Sequence, residues 1–348
     1  MKNKVLAMVL AVVMVVTVAP MATITAGAND TQEHVVFTVT DKAEQGEMKN
    51  YTFTLDRAGR VWLNFSVPEV VNDSKIAFVV SLSDSNNTRL LFFLVNANEI
   101  SQRSIHNYLS AGTYTIHVET AWGDGFVTTY NNAEYTVSAN FTENVGQFEV
   151  EGNDTPATAT PLKVNNPITG NLFANAYRSD GHTSLRPFQH YDVDYFTFTL
   201  DRAGRVSINF QHANVNHNAQ MWEITLFDSN NTVLLDFRSR GNEMNKDSIN
   251  NYLDIGTYIV RVRFPSTGQV THSNTDYTMT VNYEENTGQF ETESNDINPN
   301  QINVNSPITG NLYHKEDIDY FGFSITELTQ VSLNLKHLNC LSLRLRQR

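Results

Sequence analysis

The chain has 348 residues, with 37 Asp and Glu against 24 Lys and Arg, and a formal charge of −13. That balance argues against a nucleic-acid or anionic-membrane partner, and Cys340, the single cysteine, excludes an intrachain disulfide. The length leaves room for two complete domains and part of a third.

The N-terminus reads as a targeting segment. Lys2 and Lys4 form a positive start, residues 5–19 are almost wholly apolar, and Ala26-Gly27-Ala28 offers small residues for cleavage. The apolar run is short for a membrane span, and no positive stop-transfer flank follows it. Residues 1–28 are therefore expected to be a secretory signal peptide. The mature chain would be extracellular, with a charge of about −15 once Lys2 and Lys4 are gone.

A recurring text organises the remainder. Asp192-Val193-Asp194-Tyr195 leads into Phe196, Phe198 and Leu200, which alternate with polar residues as one face of a strand. Asp201-Arg202-Ala203-Gly204 supplies a turn, and Val206, Ile208 and Phe210 resume the alternation. The same text occurs over 51–61 and, diverged, over 317–331. Three repeats follow, at 29–145, 146–288 and 289–348.

Repeat one shows strand patterns at 35–39, 51–55, 61–67, 76–82, 90–95, 113–119 and 134–141. Asp84-Ser85-Asn86-Asn87 and Ala111-Gly112 lie between them as turns. Repeat two keeps this order, with strands at 197–200, 206–210, 222–227 and 277–283 and short segments at 251–253 and 256–258. Its turn is Asp228-Ser229-Asn230-Asn231, and an insertion at 174–191 reads as a surface loop. Tyr258, Val260, Val262 and Phe264 share one face, with Arg261 and Arg263 on the other. Short alternating strands without a helical period indicate an all-β chain of tandem β-sandwich modules. Repeat three copies only the opening of repeat two. After Leu335 the text turns basic and matches neither other repeat, so a truncated third module with an aberrant tail is expected.

Two acidic clusters front repeat two: Glu149, Glu151, Asn153 and Asp154, then Asp192 and Asp194. Repeat three has the same pair: Glu291, Glu293, Asn295 and Asp296, then Asp317 and Asp319. Alternate acids in an extended segment project to one side, and together they would supply the hard oxygen ligands that Ca²⁺ prefers. A solvated acidic linker accounts for the spacing equally well. Repeat one carries Glu47 and Lys49 in place of Asp192 and Asp194, so no equivalent metal site is expected there.

The order Glu-x-Asn-Asp, Pro-Ile-Thr-Gly-Asn-Leu, Asp-x-Asp-Tyr-Phe-x-Phe, Ala-Gly-x-Val and Gly-Thr-Tyr resembles the bacterial pre-peptidase C-terminal domain. That family includes the collagen-binding domains of clostridial collagenases. The resemblance implies a jelly-roll-like β-sandwich, with Ca²⁺ held between the N-terminal linker and the strand bearing Asp-x-Asp. By matching position it makes Glu149, Glu151, Asn153, Asp154, Asp192 and Asp194 the candidate ligands of repeat two. It does the same for Glu291, Glu293, Asn295, Asp296, Asp317 and Asp319 in repeat three.

No His-Glu-x-x-His, Gly-x-Ser-x-Gly, Cys/His setting or phosphate-binding glycine motif is present, so no catalytic activity is expected. His182 and His190 fall in the insertion, and His212 and His217 read as residues of an Asn-rich loop, solvated rather than metal-binding. Trp222, in a strand, reads as packed, whereas Trp62, Trp122 and Tyr195 are candidates for a ligand surface. The Asp-Ser-Asn-Asn segments read as hairpin turns. The expected function is a secreted, non-catalytic set of Ca²⁺-binding accessory modules that engage an extracellular protein or polysaccharide. The rival readings are the accessory part of a secreted peptidase whose catalytic domain is elsewhere, and a structural or adhesive surface protein.

Overall fold

The computed structural model describes residues 33–70, 75–120, 132–172, 192–215, 218–265, 275–293, 295–312 and 317–336. The expected signal segment, the insertion with His182 and His190, His217, Trp122 and the tail with Cys340 lie outside them.

The first module contains β1 (His34–Ala43), β2 (Met48–Leu55), β3 (Gly59–Ser66), β4 (Ile76–Ser83), β5 (Arg89–Asn96), β6 (Ser101–Leu109), β7 (Gly112–Thr120) and β8 (Ala133–Glu143). They form two four-stranded sheets, ordered β1-β8-β3-β6 and β2-β7-β4-β5. All these pairings are antiparallel. Alternation explains the packing: in β7 Tyr114, Ile116 and Val118 point inward, where they meet Val61, Leu63 and Phe65 of β3 and Tyr135 and Val137 of β8 in one core.

The second module repeats this plan. Its elements are β9 (Gln147–Phe148), β10 (Thr160–Pro161), β11 (Ile168–Asn171), β12 (Val193–Leu200), β13 (Gly204–His212), β14 (Gln220–Phe227), β15 (Val233–Arg240), β16 (Asn245–Asp247), β17 (Asn251–Leu253), β18 (Gly256–Arg263) and β19 (Asp276–Glu285). The sheets are β10-β12-β18-β14-β15 and β16-β13-β19-β11-β9, with β17 also on β13. Thus β12, β18, β14 and β15 stand where β2, β7, β4 and β5 stand in the first module. Trp222 is fully buried in this core, against Phe210 at 5.8 Å between ring centroids. Burial of each such side chain contributes roughly 1.5–3 kcal/mol.

The novelty of the second module is at its front. β9 pairs in parallel with β11, and β10 in parallel with β12. The acidic segment runs between β9 and β10, so it is stitched to one strand of each sheet. The third repeat preserves these two parallel bridges: β20 (Gln289–Phe290) pairs with β22 (Ile308–Thr309), and β21 (Asn300–Gln301) with β23 (Phe321–Gly322). Past β23 its apolar side chains are exposed, Leu328 and Leu333 among them.

Sequence patterning missed several strands of the first two modules, β6 and β15 being the longest and β9, β10 and β16 among the short ones. β6 mixes Ser, Gln, Arg and His with Ile, Tyr and Leu, and a register shift opposite Trp62 and Asn64 breaks its period. β15 opens on three consecutive apolar residues, Val233, Leu234 and Leu235, and alternates only after them, and β16 is a three-residue edge piece. His212 is a correction. It ends β13 rather than lying in a loop, is 8% exposed, and stacks on Trp222 at 4.0 Å. Its Nε2 meets Ser239 Oγ at 3.2 Å and its Nδ1 the Ala213 carbonyl at 2.8 Å. Trp62 is also buried, under the Arg103 guanidinium at 4.4 Å, and offers no ligand surface.

Candidate metal centre

Backbone hydrogen bonds fix the acidic segment of the second module. The Glu149 N–H donates to the Thr169 carbonyl at 2.9 Å, and the Tyr195 N–H donates to the Asn153 carbonyl at 3.0 Å. Extended backbone turns Glu149 and Glu151 to the same side. On β12, Asp194 alternates inward with Phe196 and Phe198, which carries it to the end of the core. Glu149, Asn153, Asp192 and Asp194 are all at most 1% exposed, and Glu151 and Asp154 are half-buried beside them.

Few protein donors reach this cluster. The Asn171 N–H donates to Glu149 Oε1 at 2.7 Å, and the Tyr277 hydroxyl donates to Asp194 Oδ2 at 2.5 Å. Glu149 Oε2, Glu151 Oε1, Asn153 Oδ1, Asp194 Oδ1 and Asn171 Oδ1 are buried with no hydrogen-bond partner in the protein. An orphaned buried acceptor costs about 1–3 kcal/mol, and more when it is charged. Five such oxygens in one cluster form a set that a cation could satisfy.

Burial pushes Glu149 well above the usual carboxylate range, and the nearby Asp194, Glu151 and Asp192 push it further. Glu151 rises for the same reason, beside Asp194 and Asp154. Asp194 rises to about 7 through burial, although the Tyr277 hydroxyl opposes the change. These directions describe carboxylates that lack a counter-charge.

The third repeat builds the same arrangement from its own text. Glu291 and Asn295 are fully buried, with Glu293 and Asp317 nearly so. Oxygens of Glu291, Glu293 and Asp319 lie within 4.8 Å of one another. Glu291 Oε2, both Glu293 carboxylate oxygens, Asn295 Oδ1, Asp319 Oδ1 and Asn311 Oδ1 are orphaned in the same way. Burial lifts Glu291 and Glu293 to about 8 and Asp319 to about 6. Asp296 stands apart, because its Oδ1 accepts the Ile318 N–H at 3.2 Å.

Two roles were not read from the sequence. Asn171 and Asn311, from the repeated Thr-Gly-Asn-Leu text, each carry a buried Oδ1 without a protein partner and donate a backbone N–H to the first glutamate of their cluster. Gly170 and Gly310 make room for it: a Cβ on Gly170 would lie 2.6 Å from Glu149 Oε2 and from the Tyr277 hydroxyl, and one on Gly310 would strike Glu291. The repetition of Gly-Asn in both repeats was the available signal.

Among the described residues the donor set consists of carboxylate and amide oxygens, with no imidazole or thiolate, as would suit a hard divalent cation such as Ca²⁺. The first module differs. Lys49 stands opposite Val118 as Asp194 stands opposite Val262, and Lys49 pairs with Glu47 at 2.7 Å.

No curated protein matches the chain. Among solved structures, tripeptidyl peptidase 2 is similar at 12% identity and a TM-score of 0.24, over 70% of this chain but 22% of that one. The CBM22-1-CBM22-2 tandem domain of Paenibacillus barcinonensis Xyn10C is similar at 10% identity and a TM-score of 0.21, over 75% of this chain and 100% of that one. The M60 catalytic domain with CBM51-1 and CBM51-2 of Clostridium perfringens ZmpB is similar at 6% identity and 0.23, over 71% and 34%. Likenesses of this size carry no argument about function. The sequence match is more specific and begins at the acidic pair of β12: residues 192–263, from Asp192 to the end of β18, match the bacterial pre-peptidase C-terminal domain.

Proposed function

We propose that the chain is a secreted, non-catalytic array of accessory β-sandwich modules, of which the second and third bind Ca²⁺. The observation that carries this reading is the matched set of buried, partnerless oxygens in two repeats. A solvated linker would leave its carboxylates exposed, whereas Glu149 and Glu291 are fully buried. Glu149, Glu151, Asn153, Asn171 and Asp194 would hold the cation in the second module, with Asp192 and Asp154 beside them. Bound there, the cation would supply the missing counter-charge and fasten the linker across both sheets. The array would present its outer sheet faces, Tyr195 among them, to an extracellular protein or polysaccharide.

The test is thermal unfolding of the full chain with Ca²⁺ and with chelator, beside an Asp192→Ala, Asp194→Ala variant. Calcium should raise the midpoint of the second-module transition in the parent and leave that transition unmoved in the variant. Equal midpoints with and without calcium in the parent would overturn the reading.

A further inference from the structure

The ligand-bearing linker of the second module has another side, and the first module sits on it. Tyr108 of β6 is 2% exposed, yet it is not among the residues of the first module's core. Its ring packs on Phe148, immediately before Glu149, at 4.9 Å between centroids. Its carbonyl accepts the Glu151 N–H at 2.8 Å. Two residues earlier, the His106 carbonyl accepts Asn171 Nδ2 at 3.1 Å. That bond decides which end of the Asn171 amide faces the carboxylates: with Nδ2 occupied by the first module, Oδ1 is left for the cavity. At the periphery His106 Nε2 meets Asp276 Oδ1 at 2.6 Å, and Arg60 approaches the same carboxylate at 3.9 Å.

The docking is repeated one module later. Tyr252 of β17, 7% exposed, packs on Phe290 at 5.0 Å, and its carbonyl accepts the Glu293 N–H at 2.9 Å. Leu253 forms a parallel bridge with Glu293. One contact is not repeated. Asn311 Nδ2 has no hydrogen-bond partner in the protein, so nothing there corresponds to the His106 carbonyl.

We propose that each cation site is completed by the module before it: Tyr108, with the His106 carbonyl, positions Glu151 and Asn171 of the second module, and Tyr252 positions Glu293 of the third. This rests on the calcium reading above. Neither tyrosine touches the cation; each acts through the ligands it holds. Outer-shell contacts of this kind are worth roughly 10–100-fold in metal affinity. By reciprocity, a cation that binds more tightly to the docked arrangement favours docking by the same factor. The extra bond to Asn171 makes the second site the more dependent of the two on its neighbour.

The experiment is calorimetric titration of the full chain with Ca²⁺. Glu293→Gln and Asp319→Asn silence the third site and let the second be read alone; Glu149→Gln and Asp194→Asn do the reverse. Tyr108→Ala should weaken the second site about tenfold and leave the third unchanged. Tyr252→Ala should do the opposite. Phe148→Ala, which acts from the other side of the ring contact, should reproduce the Tyr108→Ala loss, and Tyr108→Phe, which keeps the ring, should restore most of the affinity. X-ray scattering should show the first two modules separating more readily in Tyr108→Ala, and more so in chelator than in calcium. Equal second-site affinity in the parent and in Tyr108→Ala would overturn the coupling while leaving the metal site intact. No calcium heat in either background would remove the metal reading and this inference together.

Discussion

The first and second modules share strand order, turn text and core, but they fill the same end of the sandwich in opposite ways. In the second, Gly170 lies opposite Tyr277 and leaves space that Glu149 enters. In the first, the residue opposite Tyr135 is Asp41, whose own carboxylate occupies that end. The Tyr51 hydroxyl donates to Asp41 at 2.7 Å and meets the Tyr135 hydroxyl at 2.5 Å, with the Lys49–Glu47 pair adjacent. Burial pushes the Asp41 carboxyl up, but the Tyr51 hydroxyl, the Lys42 amide and Lys49 together hold it below its ordinary value. One module pairs its carboxylate internally, and the other leaves buried carboxylate oxygens without a protein partner. The difference teaches that a missing side chain at one β-position can decide whether a sandwich end is a closed polar network or an unpaired acidic cluster.

The largest expected effect sets the two ends against each other through pH. Asp194, lifted to about 7 in the fold, favours the protonated state, so its contribution is full below its ordinary 3.8 and is lost as pH rises toward 7. In chelator the second-module transition should therefore fall between pH 5 and pH 8. Calcium should reverse this, because its ligands must ionise to bind it, and saturation at a thousandfold above Kd would add about 4 kcal/mol. Asp41, held below its ordinary value, contributes stability that is present above that value and lost only as pH falls through the depressed one. Burial and Arg89 hold His117 of β7 below its ordinary 6.5, so the first-module transition should rise from pH 5 to pH 8, opposite to the second, and ignore calcium. Calorimetry across that range, with and without chelator, checks both; parallel curves for the two modules would break the comparison.

Gly170→Ala comes next. Its Cβ would lie 2.6 Å from Glu149 Oε2 and from the Tyr277 hydroxyl, so the ligand and its neighbour must move apart. The expected cost is about 1–3 kcal/mol of second-module stability, together with loss of the calcium response. Denaturant unfolding with and without calcium measures the two consequences separately. An unchanged calcium response would show that the glycine serves packing rather than the site.

Asp41→Ala probes the other end. It removes the acceptor of the Tyr51 hydroxyl in a part-buried network and should cost about 1–3 kcal/mol in the first module. The loss should be the same in calcium and in chelator. A calcium-dependent loss would mean that the first module also answers to the ion.

These positions also show what the sequence could and could not tell. The strands were legible wherever inward and outward residues alternate, as in β12 and β18, because one-sided burial leaves a period of two in the text. The acidic residues of the candidate site were legible because their types and spacing survive in two repeats. Asn171 was not: a single Asn has no pattern that marks it, and only the fold brings its backbone N–H to Glu149. Tyr108 was not either. One tyrosine among 14 has no distinguishing pattern, and its role arises from a contact with Phe148, 40 positions along the chain and in another module. Pairings across modules leave no local period, so the docking surface stayed invisible, and the strand that carries it was missed because its bulge breaks the period.

The smallest effect is one in which the two modules should agree. Asp84 Oδ1 accepts the N–H groups of Asn86 at 2.8 Å and Thr88 at 2.7 Å, and Asp228 Oδ1 accepts those of Asn230 at 2.8 Å and Thr232 at 2.7 Å. Asn87 and Asn231 take positive φ at 62° and 64°, as the tight turn requires. These carboxylates are occupied by the backbone of their own turn, which leaves the acid-rich text no cation to seek. Asp84→Ala and Asp228→Ala should each cost about 1 kcal/mol, each in its own module and neither altered by calcium. If the Asp228→Ala loss alone depended on calcium, the distinction between turn acids and site acids drawn from burial and hydrogen bonding would fail for the second module.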